Sequence, residues 1–149
     1  MSESDGPAKR RDAAVADAVP TEDELEDFRT LLDRTRLIIV QQTLAHDSGV
    51  LCRAELAARN PDVNESTLQY HLDTLVVRGL LTKETPSETK RDLPSVFYAV
   101  SKRGIDLLKQ LNLHDEIAVW NDLYSSISTP DELRQIEAMD RPEPEWYDY

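Results

Sequence analysis

Gly79 is the residue that most constrains this chain, because the hydrophobic period changes there. Before it, Leu68, Leu72, Leu75 and Val76 share one helical face behind Asn64, a side chain suited to cap a helix. After it the pattern alternates. Residues 80–84 read as one strand, 95–100 as a second, and the polar TPSETKRDLP with its two prolines connects them. A helix halted at a glycine that accepts the left-handed stop, then a hairpin, makes a mainly α chain with a small β-hairpin, an α+β class.

The remaining apolar pattern is helical. Thr21 and Glu24 form a capping box ahead of Leu25, Phe28 and Leu32, and after a break the pattern runs through Leu37, Ile38, Val40 and Leu44 to Gly49. A short apolar strand at 50–52 precedes RAELAARN, an amphipathic segment with Leu56 and Ala57 inward, closed by Pro61. Ser101 caps KRGIDLLKQLNL, whose Ile105, Leu108 and Leu111 share a face. A helix over about 114–127 sets Leu113, Ile117, Trp120, Tyr124 and Ile127 at alternating four- and three-residue steps, a period suited to helix-to-helix packing. One more short helix falls near 130–139. The division expected is a disordered tail 1–20, a compact unit 21–112, packing or dimerisation helices 113–139 and an acidic, aromatic tail 140–149.

Charge alone argues against contact with nucleic acid, since 29 acids oppose 17 cations for a net −12 over 149 residues. The regional distribution reverses that. Residues 1–32 hold 4 cations and 9 acids, 113–149 hold 2 and 10, and the central 33–112 hold 11 and 10. Any phosphate contact therefore belongs to the near-neutral middle. The acids are mostly Asp (16 of 29) and the cations mostly Arg (12 of 17), a composition expected of proteins working in molar salt, where a carboxylate surface stays hydrated and its repulsion is screened. No run of 18 apolar residues and no secretory signal is present, so a cytoplasmic protein with no membrane contact is expected. The single Cys52 has no disulfide partner, and His46, His71 and His114 lack zinc-ligand spacing, so neither a metal nor a cofactor is expected.

The order helix, strand, helix, turn, helix, hairpin, helix, together with STLQYHLDTLVVRGLL at 66–81 and YAVSKRGIDLL at 98–108, resembles the winged helix-turn-helix of ArsR-type transcription regulators, in the acidic form found in halophilic archaea. The resemblance covers about 33–112. It implies a recognition helix at 65–78 for the major groove of double-stranded DNA, a wing at 80–100 on flanking DNA, and extra terminal helices for a homodimer. Metal-sensing members carry thiols on the recognition helix or paired ligands on the dimer helices, and this chain has neither set.

Burying Leu68, Leu72 and Leu75 leaves Glu65, Ser66, Gln69, Tyr70 and Asp73 on the opposite face. Gln69, able to pair bidentately with adenine, and Tyr70 are assigned to base reading, and Ser66 and Thr67 to backbone positioning at the positive helix end; Glu65 or Asp73 could accept from cytosine. Arg53 on the preceding helix, Lys83 on the first strand, Lys90 and Arg91 at the wing tip, and Lys102 and Arg103 beyond the second strand complete the expected DNA contacts. Arg59 could reach phosphate or its own helix's last carbonyls. The dimer interface is expected at Leu25, Phe28, Leu113, Ile117, Trp120 and Tyr124, with an effector pocket at Trp120 and Tyr124 as the lesser reading. His71 is assigned to scaffold packing, His46 and His114 to capping or exposed roles, and Cys52 to the core. Trp146, Tyr147 and Tyr149 are expected to dock back onto the domain, with recruitment of a partner as the lesser reading. A winged helix serving protein–protein interaction without specific DNA binding is the alternative, favoured by Glu65, Asp73 and the acidic flanks. No enzyme is expected: there is no Gly-rich phosphate loop, no nucleophile motif, and the acids sit in flanks without apolar enclosure.

Overall fold

The computed structural model describes residues 19–125 and 129–146; the expectations for 1–18, Ile127, Tyr147 and Tyr149 lie outside the described residues. Helix α1 (Glu22–Leu31) begins as its capping box requires, with the Glu24 N–H donating to Thr21 Oγ1 at 3.1 Å. It halts at Leu32, and Asp33 caps α2 (Arg34–Ala45) by accepting from the Arg36 N–H at 3.1 Å. The break in the N-terminal helical pattern is thus two residues long. Strand β1 (Val50–Leu51), α3 (Arg53–Arg59) and α4 (Glu65–Val77) follow, then β2 (Leu81–Glu84), β3 (Phe97–Val100) and α5 (Lys102–Gln110). The helix expected over 114–127 opens as a 3-10 turn, His114–Glu116, before α6 (Ile117–Ser125); a second 3-10 turn, Asp131–Leu133, leads into α7 (Arg134–Ala138).

Local chemistry explains the junctions. Gly79 takes φ +76°, which releases the chain from α4 into β2. The Ser101 hydroxyl donates to the Gly79 carbonyl at 2.6 Å while its oxygen accepts from the Gly104 N–H at 3.0 Å, so one side chain ties the end of α4 to the start of α5.

The three strands form an antiparallel sheet in the order β1-β3-β2, with Val50 opposite Ala99 and Leu81 opposite Val100. The two-residue period splits β3 between two cores. Tyr98 and Val100 join Leu31, Ile39, Leu56, Leu68, Leu72, Leu75 and Leu108 in the helical core, whereas Phe97 and Ala99 join Val50 and Cys52 on the far side. Each fully buried leucine contributes about 2 kcal/mol of hydrophobic stabilisation. A central strand apolar on both faces needs two covers, and the C-terminal segment supplies the second through Leu133 and Ile136. Further along, Trp146 packs on the helical core beside Gly49, where a Cβ would meet the indole at 2.6 Å. At Trp146 the tail docks back, as expected.

Candidate nucleic-acid interface

Helices α3 and α4 are joined by a tight turn, which Asn60 anchors to α2 by donating to Gln42 Oε1 at 2.7 Å and to its own helix at the Leu56 carbonyl at 2.8 Å. Asn64 then opens α4, its Oδ1 accepting from the Thr67 N–H at 2.8 Å and the Ser66 hydroxyl at 2.9 Å. Leu68, His71, Leu72 and Leu75 turn inward. The His71 ring is 9% exposed, with Nδ1 3.2 Å from Arg36 Nη1; burial pushes its pKa below the ordinary value, and the guanidinium partner fits a neutral imidazole that accepts. It is a packing residue.

The outward face carries Glu65, Ser66, Thr67, Tyr70 and Asp73, with Gln69 half-buried beneath them. Gln69 is held from three sides: it donates to Asp73 Oδ1 at 2.9 Å, accepts from Arg53 Nη1 at 3.4 Å, and lies 3.5 Å from the Tyr98 hydroxyl. Arg53, Gln69, Lys83, Ser95 and Tyr98 border one cleft of about 510 Å³ between α4 and the wing. The fold therefore gathers Arg53, Gln69 and Lys83, with Ser66, Thr67 and Tyr70 on the neighbouring helix surface. Lys90 and Arg91 are exposed in the wing, but Lys90 borders a separate groove with Met139 and Asp140. Lys102 is exposed, and its backbone N–H donates to Glu145 at 3.0 Å. Arg103 is exposed but engaged: its guanidinium pairs with Asp27 and approaches Asp23 at 3.8 Å.

That pairing belongs to a feature the sequence did not reveal. Asp27 is 1% exposed and accepts from both Arg103 and Arg78, the latter at 2.6 and 2.9 Å, so the acidic helix α1 is clamped to the end of α4 and the start of α5. Glu55, 3% exposed, is the second such site: Arg141 donates to both its oxygens at 2.8 and 2.6 Å. Burial pushes the Glu55 carboxyl up, but the hydrogen bonds and charge of Arg141 and the Cys52 N–H outweigh it and hold the pKa below the ordinary value. The expectation that the acids of the flanks lack enclosure thus fails at Asp27, and Glu55 of the central region is enclosed as well, each acid buried with its cation. The one local signal was Glu55 three residues after the N-cap Cys52, whose N–H it accepts at 3.1 Å.

His46, Glu55 and Glu137 place ligand-type atoms within 4.8 Å of one another, but Arg141 donates to both carboxylates there and supplies the positive charge a cation would bring. Cys52 is 1% exposed, and burial pushes its thiol up to about 11, so it is a core residue and not a nucleophile. Arg59 makes no hydrogen bond to its helix's last carbonyls among the described residues; its guanidinium carbon stands 4.5 Å from the centre of the Tyr124 ring.

Of the residues expected at a dimer interface, Leu25 is half-buried, and Phe28, Leu113 and Ile117 pack on the helical core of their own chain. Trp120 stacks on Tyr124 at 6.0 Å, and the Tyr124 hydroxyl accepts from Gln42 at 2.8 Å. The four-three spacing marked the face α6 turns to its own α2. Val119 and Leu123 on α6 are 63% and 50% exposed.

A helix pair with an outward polar face beside a short-stranded wing defines the winged helix-turn-helix class. A solved protein with a GntR-superfamily winged-helix-turn-helix domain from Halomicrobium mukohataei is 41% identical, with a TM-score of 0.76 over 81% of this chain and 87% of that one. This chain belongs to the same family of winged helix-turn-helix proteins, and the class is not enzymatic. HlyU from Vibrio cholerae (21% identity, TM-score 0.44, 70% of this chain and 94% of that one) and a possible transcriptional regulator for arsenical resistance (25%, 0.42, 68% and 95%) are similar at a distance that supports no further argument. No family model and no curated protein matches the sequence. Among the described residues no helix is long and apolar enough to cross a membrane.

Proposed function

We propose that the chain is a DNA-binding transcription regulator that reads sequence through α4 in the major groove and acts as a homodimer in a salt-rich cytoplasm. One observation carries this reading: Gln69, the side chain suited to adenine, is braced by Arg53 and Asp73 at the mouth of a cleft whose other wall, the wing, carries Lys83. Ser66 and Thr67 at the positive end of α4, with Arg53, Lys83, Lys90, Arg91 and Lys102, supply phosphate contacts. Tyr70, 63% exposed, presents its ring to base edges. Arg103 is left out because Asp27 holds it. Val119 and Leu123 form the seam we assign to the dimer, whose twofold axis would set half-sites about one helical turn apart. The ArsR-like subtype rests on the pattern at 66–81, and the saline habitat on the Asp-rich, Lys-poor composition.

A shift assay in concentrated KCl tests the reading. Gln69→Ala is expected to lower discrimination between the preferred duplex and a scrambled one by about 1–3 kcal/mol, while Lys90→Ala with Arg91→Ala weakens both alike. Equal loss on both duplexes for Gln69→Ala contradicts the assignment of base reading. Retention of no duplex by the wild type, together with capture of a protein through the acidic face of α4, would move the chain to the protein-interaction alternative.

A further inference from the structure

A cavity of about 320 Å³ lies between the end of α2, α3, α6 and residues 129–133, away from the recognition cleft. Its wall is mainly apolar, with Ala45, Ala58, Tyr124 and Leu133, and it carries the charged groups Asp47, Glu55, Arg59 and Glu137. The hydrogen bonds of these groups leave one remainder. Glu55 is met by Arg141 at 2.8 and 2.6 Å, Glu137 by Arg141 at 3.0 Å and His46 at 3.3 Å, and Asp47 by Asn121 at 2.8 Å. Arg59 lies over the Tyr124 ring and feels the charge of Glu55 and Glu137, and its buried Nη1 has no hydrogen-bond partner among the described residues. Arg78, Arg103 and Arg141 each have a carboxylate partner, and Arg59 has none in hydrogen-bonding contact among the described residues. A buried donor without an acceptor costs about 1–3 kcal/mol, so an acceptor toward which the Arg59 head group can turn is received favourably. Burial also pushes the Arg59 pKa down, against the opposing pull of Glu55, Tyr124 and Glu137.

We propose that this cavity binds a small organic acid, its carboxylate received by Arg59 and its apolar body lying against Ala58, Tyr124 and Leu133. The space suits a molecule of benzoate or phenylacetate size, and the other acids of the wall hydrogen-bond to Arg141, His46 and Asn121 and not to Arg59. The site also has a route to the recognition face, because α3 carries Arg59 at one end and Arg53, the partner of Gln69, at the other. A ligand that draws Arg59 toward the cavity shifts α3 and with it the brace on Gln69. This regulatory consequence rests on the DNA-binding reading, whereas the binding site itself does not.

The test is calorimetric titration of the whole chain, without DNA, with acetate, benzoate and phenylacetate, each beside its uncharged amide. At least one carboxylate is expected to saturate at one molecule per chain, with its amide at least tenfold weaker. Arg59→Gln is expected to weaken the carboxylate at least tenfold. Ala58→Leu, which narrows the cavity and leaves Arg59 in place, is expected to weaken it as well, and decides the matter if Arg59→Gln fails to fold by circular dichroism. No saturation by any of the three acids, an amide that binds equally well, or a folded Arg59→Gln that binds as the wild type does overturns the site. A bound acid that leaves DNA affinity unchanged overturns the regulatory route alone. If the chain binds no DNA, the proposed function fails while the titration still decides the cavity.

Discussion

Asp27 and Glu55 are both almost wholly buried, at 1% and 3% exposure, and each is met by arginine, yet the surroundings of the two pairs differ. The arginines on Asp27 stay in contact with water, with side chains 25% exposed at Arg78 and 46% at Arg103, and Asp23 stands outside as a second acceptor. Arg141 on Glu55 is 6% exposed, and it also donates to the Val50 carbonyl at 3.0 Å. The first pair is a wet clamp holding the N-terminal helix α1 to the end of α4. The second is a dry clamp that fixes the C-terminal segment over the sheet. Charge in water is readily re-solvated when its partner goes, whereas a dry charge is not, so the two clamps should differ in cost of rupture although each is an Arg–carboxylate pair.

Removing the cation from the dry clamp is the strongest way to break this contrast. Arg141→Leu leaves the Glu55 carboxylate buried and unpaired, and is expected to lower stability by about 3–5 kcal/mol in denaturant titration. A loss no larger than that of Asp27→Asn would erase the distinction. Acid should act on the same clamp next most strongly. Burial, followed by the charge of Arg141, pushes His46 below 6.5 against the opposing pull of Glu137 and Glu55, and Glu55 itself lies below 4.5. Both folded-state values are depressed, so the stability they contribute is complete above the ordinary values and drains as pH falls, first through His46 and then through Glu55. The Tm should therefore decline from pH 6.5 toward 4, and Arg141→Leu should flatten the lower part of that curve.

The wet clamp should yield smaller numbers. Asp27→Asn keeps one acceptor oxygen and leaves the arginines hydrated and near Asp23, for an expected loss of about 2 kcal/mol. Asp23→Ala removes only a carboxylate that is 76% exposed, and a change within about 0.5 kcal/mol is expected from the same titration. A larger effect of Asp23→Ala than of Asp27→Asn would invert the assignment of inner and outer partner.

The clamps also show which parts of the molecule were legible in the sequence. Thr21 with Glu24, Asn64 with Thr67 and Ser101 with Gly104 are caps whose partners lie three residues apart, so spacing alone disclosed them. The wing was equally plain, since Gly79 and the alternation after it are local signals. Arg103 lies 76 residues from Asp27 and Arg141 lies 86 from Glu55, and no local period encodes such pairings. Hence the acids of the flanks read as solvated appendages when two segments of those flanks, around Asp27 and around Arg141 with Trp146, are fastened to the winged unit. The stripe on α6 misled for a related reason: amphipathic spacing says that a face is covered, not by which chain.

Selecting duplexes from a random pool with the purified chain in concentrated KCl, in parallel with Gln69→Ala, tests the central claim most directly. The wild type should enrich a motif of two inverted half-sites, and Gln69→Ala should lose preference at one position of each half while keeping the spacing. A wild-type pool that stays random, or a Gln69→Ala pool with an unchanged motif, would contradict it.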